Sequence, residues 1–295
     1  MDRSRAELIS ARDTNIGLLK VRRSLPTRAR RNVGAWCFAD HLGPLALRPG
    51  ERADVAPHPH CGLQTVTWLF EGEFLHRDSL GSEQAIRPGQ LNLMSAGRGV
   101  AHAEEDPDQF GHRLHGIQLW VAQPDATRCG PADFEHHDAL PRVELDAGVA
   151  TMLLGTLHGV SSPARRDDDL VGAELQLSVG TSVLEASELY EYGVIGIAGE
   201  VLVDGAMVVP GSMAYLAPGR GEVVLTALNS ATVMLVGGVA LSEPLVMWWN
   251  FVARSRDEIV AAYNSWSARD ERFGPVASRF SPIDVAPPAW LARGS

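Results

Sequence analysis

The sequence is poor in cysteine. There are three among 295 residues, and Cys37, Cys61 and Cys129 stand far apart. An odd, scattered set gives no disulfide framework, which points to a reducing compartment. No close CxxC pair is present either, so the thiolate pattern of a structural zinc site is missing. Lysine is nearly absent: Lys20 is the only one, and arginine makes up the rest of the 26 basic residues. Against 36 acidic residues this gives a formal net charge of -10. A nucleic-acid surface needs clustered cation, so direct nucleic-acid binding is not expected. The local exception, Arg22, Arg23, Arg28, Arg30 and Arg31, reads as a solvated basic segment. No apolar run is long enough to span a membrane, and the opening MDRSRAELISARDTN lacks the apolar core of a secretory signal. The cytoplasm is the expected location.

What is present is the composition of an ordinary globular protein, 45% hydrophobic and 21% charged, long enough for about two domains. Helical periodicity is scarce until the C-terminal tail, and short alternating stretches bounded by glycine and proline dominate instead. GLLKVRRSLP, from Gly17 to Pro26, reads as an edge strand. A strand over Ala35–Ala39 enters a Gly-Pro turn, with Asp40 and His41 at its end, available either to bond turn amides or to line a pocket. Residues 48–59 read as a loop. Thr65, Thr67 and Leu69 then alternate with Val66, Trp68 and Phe70, Glu71-Gly72-Glu73 turns, Phe74–Asp78 returns, and LNLM follows Pro88-Gly89. His112–Pro124 closes this first unit. The pattern predicts an all-β sandwich or barrel. Residues 125–141 read as a linker, in which the adjacent His136 and His137 make a poor chelate and are expected to face solvent. A second β-rich region runs from about Val143 to Val239, interrupted by a polar loop, Ser161–Leu170.

The two regions repeat. Gly72-Glu73 corresponds to Gly199-Glu200, Pro88-Gly89 to Pro210-Gly211, and Gly97-Arg98-Gly99 to Gly219-Arg220-Gly221, as expected of two copies of one β unit. The first copy holds His58 and His60 two apart, then His102 and Glu104 two apart. On a strand, residues i and i+2 share a face, so each pair can aim both side chains into one interior. Three imidazoles and a carboxylate suit iron, nickel, manganese or copper, and leave positions open for substrate or O2 on an octahedral metal. Carrying the repeat across places Glu185, Ser187, Val224 and Thr226 at the equivalent positions, which cannot form that set. One metal is therefore expected per chain, in the first copy. In the tail, Ser255-Arg256-Asp257-Glu258 has the form of a capping box, and Ile259, Val260, Tyr263 and Trp266 follow at helical spacing. The apolar LVMWWNFVA before it is expected to pack back over one barrel, with Trp248 and Trp249 in the core.

Several segments resemble the pirin family of bicupins. They are Asp40–Pro44 (D-H-x-G-P), HPHCGLQTVTWLFEG at His58–Gly72, HRDS at His76–Ser79, RPGQLNLMSAGRGVAHAEE at Arg87–Glu105, HGIQLWV at His115–Val121 and EPLVMWWNFV at Glu243–Val252. The resemblance implies two tandem cupin (jelly-roll) barrels with a short C-terminal helix: a metal-binding domain over residues 1–135 and a metal-free domain over 136–295. It implies the ligands His58, His60, His102 and Glu104 around one divalent metal, iron(II) first, with nickel, manganese, copper or zinc as alternatives. Two positions depart from the family pattern: Cys61 stands where relatives often carry arginine, and Gln64 where they often carry glutamate. The implied activity is quercetin 2,3-dioxygenase-like cleavage of a flavonol by O2, with Glu104 as ligand and base and with His115 or Gln118 orienting the ligands. The alternative is a non-catalytic, metal-dependent redox sensor that binds a protein partner.

Overall fold

The computed structural model describes residues 6–16, 19–107 and 112–292. Each repeat forms an antiparallel seven-stranded sheet facing an antiparallel four-stranded one. In the front barrel the larger sheet runs, in spatial order, Asp133–His137, Leu91–Ser95, Leu63–Glu71, Arg113–Ala122, Trp36–Ala46, Leu19–Leu25 and Arg12–Ile16. Its smaller sheet is Val55–His60, Val100–Glu105, Phe74–Asp78 and Glu83–Ile86. In the rear barrel the order is Glu7–Ser10, Ser212–Leu216, Tyr190–Ala198, Ala231–Val239, Leu170–Leu177, Gly148–Leu154 and Arg142–Leu145, facing Gly180–Glu185, Glu222–Ala227, Val201–Val203 and Ala206–Val208. The two orders match except at one edge, where Asp133–His137 follows the front barrel in the chain and Glu7–Ser10 precedes both barrels, so the repeat in the sequence is a repeat in topology apart from those edge strands. The fold is the all-β bicupin expected. No helix among the described residues is long and apolar enough to cross a membrane.

Several local readings change. Gly17 and Leu18 lie outside the described residues, and the strand that follows, Leu19–Leu25, is internal: Arg12–Ile16 covers its edge. Gly43-Pro44 is not a turn, because the strand Trp36–Ala46 runs through it, carried by a cis peptide and a register shift against Arg113–Ala122. Asp40 and His41 therefore sit in mid-strand. The expected linker over 125–141 holds the strand Asp133–His137, which adds to the front sheet beside Leu91–Ser95, so a boundary at 135/136 falls inside a strand. Conversely, Glu7–Ser10 from the N-terminal segment completes the rear sheet at Ser212–Leu216. The basic segment is partly engaged: Arg23 grips Asp40 through two bonds of 2.7 and 2.6 Å, and the Arg30 guanidinium lies 3.5 Å from the Tyr215 ring centroid.

The two large sheets pack face to face, and the seam is the largest continuous apolar layer. Trp36, Val66, Trp68, Ile117 and Leu119 from the front meet Ile195, Met213, Met234 and Val236 from the rear. Both tryptophans also carry a polar group that must be satisfied when buried. Trp36 Nε1 donates to the carbonyls of Val171 and Gly237, and Trp68 Nε1 donates to Glu174 Oε2. Gly172 is required there: a Cβ at that position would sit 2.7 Å from the Trp36 ring.

The rear barrel is filled by aliphatic side chains such as Leu175, Leu184, Val194, Val223, Leu225 and Leu235. The front barrel is not filled throughout. One apolar cluster, including Leu19, Leu42, Leu69 and Phe74, and another, including Phe38, Leu63 and Trp120, leave a cavity of about 400 Å³ that both help to line. The tail closes over this barrel as expected. A hairpin, Val246–Trp248 with Phe251–Ala253, docks where Val252 N donates to the Cys61 carbonyl. Gly62, at φ +71°, makes that docking possible, since a Cβ there would lie 2.1 Å from the Val252 carbonyl oxygen. The helix Arg256–Ala268 follows, capped by Ser255 as expected, with Glu258 N donating to Ser255 Oγ; the return bond of the capping box is displaced by one residue, Arg254 N donating to Glu258 Oε2. Its buried face is Ile259, Ala262 and Trp266.

Candidate metal centre

The strand Val55–His60 lies against Val100–Glu105, with His102 opposite His58 and Val100 opposite His60. Period-two alternation turns His58, His60 and His102 to the same interior. One ring nitrogen from each lies within 4.8 Å of the others, and all three residues are buried. Among the described residues no other group of histidine, cysteine and carboxylate side chains comes together in this way. His60 Nε2 and His102 Nε2 are 3.1 Å apart. His58 Nδ1 donates to the Ala56 carbonyl, which leaves its Nε2 as the lone-pair atom.

Burial drives the electrostatics. It lowers His58 to about 4 and pushes His60 and His102 well below the ordinary imidazole value, with the neighbouring imidazoles adding to the effect. All three are thus neutral at physiological pH, the state in which imidazole is a metal ligand. Three converging neutral nitrogen donors, two of them facing each other at 3.1 Å, fit a first-row transition metal.

Glu104 lines the same cavity but stands outside the three-nitrogen cluster. Burial raises its carboxyl to about 7, against the lowering effect of the Thr67 hydroxyl. Thr67 Oγ1 is 3.3 Å from Glu104 Oε1 and 3.0 Å from Gln118 Oε1, so Gln118 belongs to the site through Thr67. The sequence signal for Thr67 is its alternation with Val66 and Trp68, which puts it on the opposite face of the strand from those two.

His115 is elsewhere. Its Nε2 lies 2.7 Å from His41 Nε2, and it faces the cleft between the barrels beside Phe70 and Arg113. It cannot orient a ligand, because its strand turns it away from the cavity that Gln118 lines. Cys61, next to His60, points to the opposite side and packs on Phe251, Ile259 and Ala262; burial pushes its thiol up to about 11. Gln64 shares the strand face of Val66 and Trp68, opposite to Thr67, and its Nε2 donates to Ser95 Oγ. Neither departure therefore touches the cavity. Of the other histidines, His136 bonds Asn92 and Asp138 and His137 bonds Glu135, both half-buried rather than exposed.

Among the described residues the rear barrel holds no such cluster, but the positions that the repeat points to are not the ones that face its interior. The positions reached by interval, Glu185, Ser187, Val224 and Thr226, lie on the outer side, exposed or half-buried. The residues alternating with them, Leu184, Val223 and Leu225, face inward and are all apolar. A one-residue slip between the copies exchanges the faces.

The remaining cavity wall is aromatic. Phe38 and Trp120 stack at 3.9 Å and 12°, and Trp120 meets His60 edge-on at 5.1 Å. Asp40, with its partner Arg23, also lines the cavity. Trp249 and Asn250, the turn of the tail hairpin, close one side, and Ile283 reaches in where its N–H donates to the Pro57 carbonyl. Trp248 and Trp249 both pack against the tail cluster as expected, and Trp249, whose φ is +51°, lines the cavity as well.

Comparison with known proteins agrees with this arrangement. The profile described as Pirin matches residues 18–121, and that described as Pirin C-terminal cupin domain matches 172–274. A Pseudomonas aeruginosa protein carrying the provisional name of a quercetin 2,3-dioxygenase is 43% identical over 283 residues, 95% of this chain and 89% of its own. A pirin-like protein of Caulobacter vibrioides is 40% identical over 88% of this chain and 92% of its own. A crystal structure of a quercetin 2,3-dioxygenase from Acinetobacter baumannii superposes with a TM-score of 0.91 at 38% identity, over 96% of each chain. With its paired barrels and its single histidine cluster in the first, the chain belongs to the pirin family.

Proposed function

We propose that this protein is a metal-dependent dioxygenase that opens the ring of a flavonol or related enol with O2, as a quercetin 2,3-dioxygenase does. The observation that carries this reading is the cluster of three neutral imidazoles facing a recessed cavity of about 400 Å³ with a flat aromatic wall. That volume lies within the ordinary range for small-molecule sites. His58, His60 and His102 are assigned to one divalent ion, with Glu104 as fourth donor; iron(II) is the first choice, and nickel, manganese, copper and zinc suit the same donors. When bound, the ion supplies Lewis acidity at the substrate oxygen and a place for O2.

The chain's own residues do the rest. Phe38 and Trp120 offer a stacked face to a planar ring system. The Arg23 guanidinium lies 4.4 Å from the Phe38 centroid, but Asp40 neutralises it, so the wall carries no net charge. Glu104, whose carboxyl burial raises to about 7 in the metal-free protein, takes the enol proton. The Thr67 hydroxyl has one hydrogen and two acceptors in reach; it serves Glu104 while that group is ionised and turns to Gln118 once Glu104 is protonated. In the overall reaction both oxygen atoms enter the ring-opened product and the hydroxyl-bearing carbon leaves as carbon monoxide.

The test is consumption of quercetin and O2 in equal amounts by protein loaded with each metal in turn, with metal content measured. Glu104→Ala should lower turnover by about 10²- to 10⁴-fold, the usual contribution of a positioned base. Metal-loaded wild-type protein that consumes no O2 with quercetin defeats the reading for this substrate.

A further inference from the structure

We infer that Asp78 and His76 form a buried relay that fixes the tautomer of His102 and so turns its Nε2 lone pair toward the metal position. This rests on the assignment of His58, His60 and His102 as ligands. The strand Phe74–Asp78 flanks Val100–Glu105 on the side away from His58, with Asp78 opposite His102 and His76 opposite Glu104. His76 Nδ1 lies 3.3 Å from His102 Nδ1, and His76 Nε2 lies 3.0 Å from Asp78 Oδ2. His76 and Asp78 are 4% and 3% exposed, so water cannot substitute for either partner. Both ends of the relay are held. Asp78 Oδ1 accepts the backbone N–H groups of Leu80 and Ser82, each at 2.9 Å, and the Phe134 ring stacks on His76 at 4.3 Å and 15°.

One arrangement of hydrogens satisfies this chain of contacts and leaves the His102 lone pair on Nε2. The Asp78 carboxylate can only accept, so His76 Nε2 carries the hydrogen. A neutral His76 then presents a lone pair at Nδ1, and His102 Nδ1 must donate to it. His102 is left with its lone pair on Nε2, the atom that faces His60 Nε2. The reverse arrangement would place a hydrogen on His102 Nε2 and remove one donor from the set. His58 reaches the same state more simply, through the neutral Ala56 carbonyl. Only His102 is connected to a carboxylate, an arrangement that raises ligand basicity as well as fixing orientation. Asp78 and His76 are positioning residues: they share the interior face of the sheet but neither lines the cavity.

Cobalt(II) is the probe, added to full-length metal-free protein. Its dissociation constant is measured by competition with a chelator, and the shifted, solvent-exchangeable imidazole N–H protons are followed by nuclear magnetic resonance. His76→Leu breaks the relay. Asp78→Asn presents an amide donor to His76 if its oxygen keeps the Leu80 and Ser82 contacts, which drives the hydrogens the wrong way. His76→Gln preserves one acceptor and one donor. We expect Leu and Asn to weaken cobalt binding about 10- to 100-fold and to shift or abolish the His102 N–H signal. Gln should restore the signal and most of the affinity.

Wild-type affinity and spectrum in Asp78→Asn or His76→Leu overturn the relay. So does a Gln variant as impaired as Leu, since His76 would then merely fill space. If His76→Leu fails to fold, Asp78→Asn against His76→Gln decides the matter. Wild-type protein that binds no cobalt overturns the relay together with the ligand assignment, whereas cobalt binding without quercetin turnover counts against the proposed activity alone.

Discussion

At the scale of single residues, burial does more than charge pairing to set the chemistry. Glu104 and the three clustered histidines are all pushed toward their neutral forms because they are buried in the front barrel. The same principle operates at His41, away from the metal position. Burial, with His115 and Arg22 adding to it, lowers His41 from 6.5 to about 3. Between those values the unfolded chain takes up a proton that the native chain refuses, so stability is lost as pH falls from 6.5 toward 3. His41→Gln removes this contribution. Urea midpoints measured from pH 7 to 3 should therefore fall less steeply in that variant than in the wild type; parallel curves would show that His41 titrates normally.

Among elements, the tail hairpin bears most on the site. It reaches the cavity through Trp249 and Asn250, and Trp249 adopts a left-handed backbone that costs a non-glycine residue roughly 1–2 kcal/mol. Trp249→Gly and Trp249→Ala lose the same ring, but glycine tolerates φ +51° and alanine does not. Thermal unfolding should thus rank Gly above Ala by about 1 kcal/mol, the reverse of the usual order outside such positions. Both variants should weaken flavonol binding alike, because both open the same wall. Equal stability of the two would mean that the turn relaxes at no cost.

The readability of the sequence also divides by element. The i, i+2 spacing of His58 with His60 and of His102 with Glu104 located the site, because strand periodicity depends only on local backbone geometry. The capping box at Ser255 was readable for the same reason. What sequence spacing could not show was the set of long-range partners. His115 alternates in step with Ile117 and Leu119, whose face packs toward the rear barrel, so it opens on the inter-barrel cleft; alternation alone does not say which face of the strand lines the front cavity. The HRDS segment gives no role to His76 and Asp78 from the sequence alone, since their link to His102 exists only through the pairing of two strands.

For the whole molecule, the two barrels share a topology and differ in what fills them. Leu184, Val223 and Leu225 pack the rear interior, while the front interior holds imidazoles around a cavity. Exchange of segments binds them into one unit: Glu7–Ser10 from the front of the chain completes the rear sheet, and the tail that follows the rear barrel closes the front cavity. Truncation after Val239 would leave the front barrel with its histidines but without Trp249, Asn250 and Ile283 over them.

The central claim is one first-row metal ion per chain, held by the front barrel through His58, His60 and His102. Anomalous diffraction at the absorption edge of the bound metal, on crystals of protein purified without added metal, tests it most directly. The account predicts a single strong peak per chain within bonding distance of those three imidazoles and none in the rear barrel. A peak centred elsewhere, or crystals of active protein with no peak at all, would contradict it.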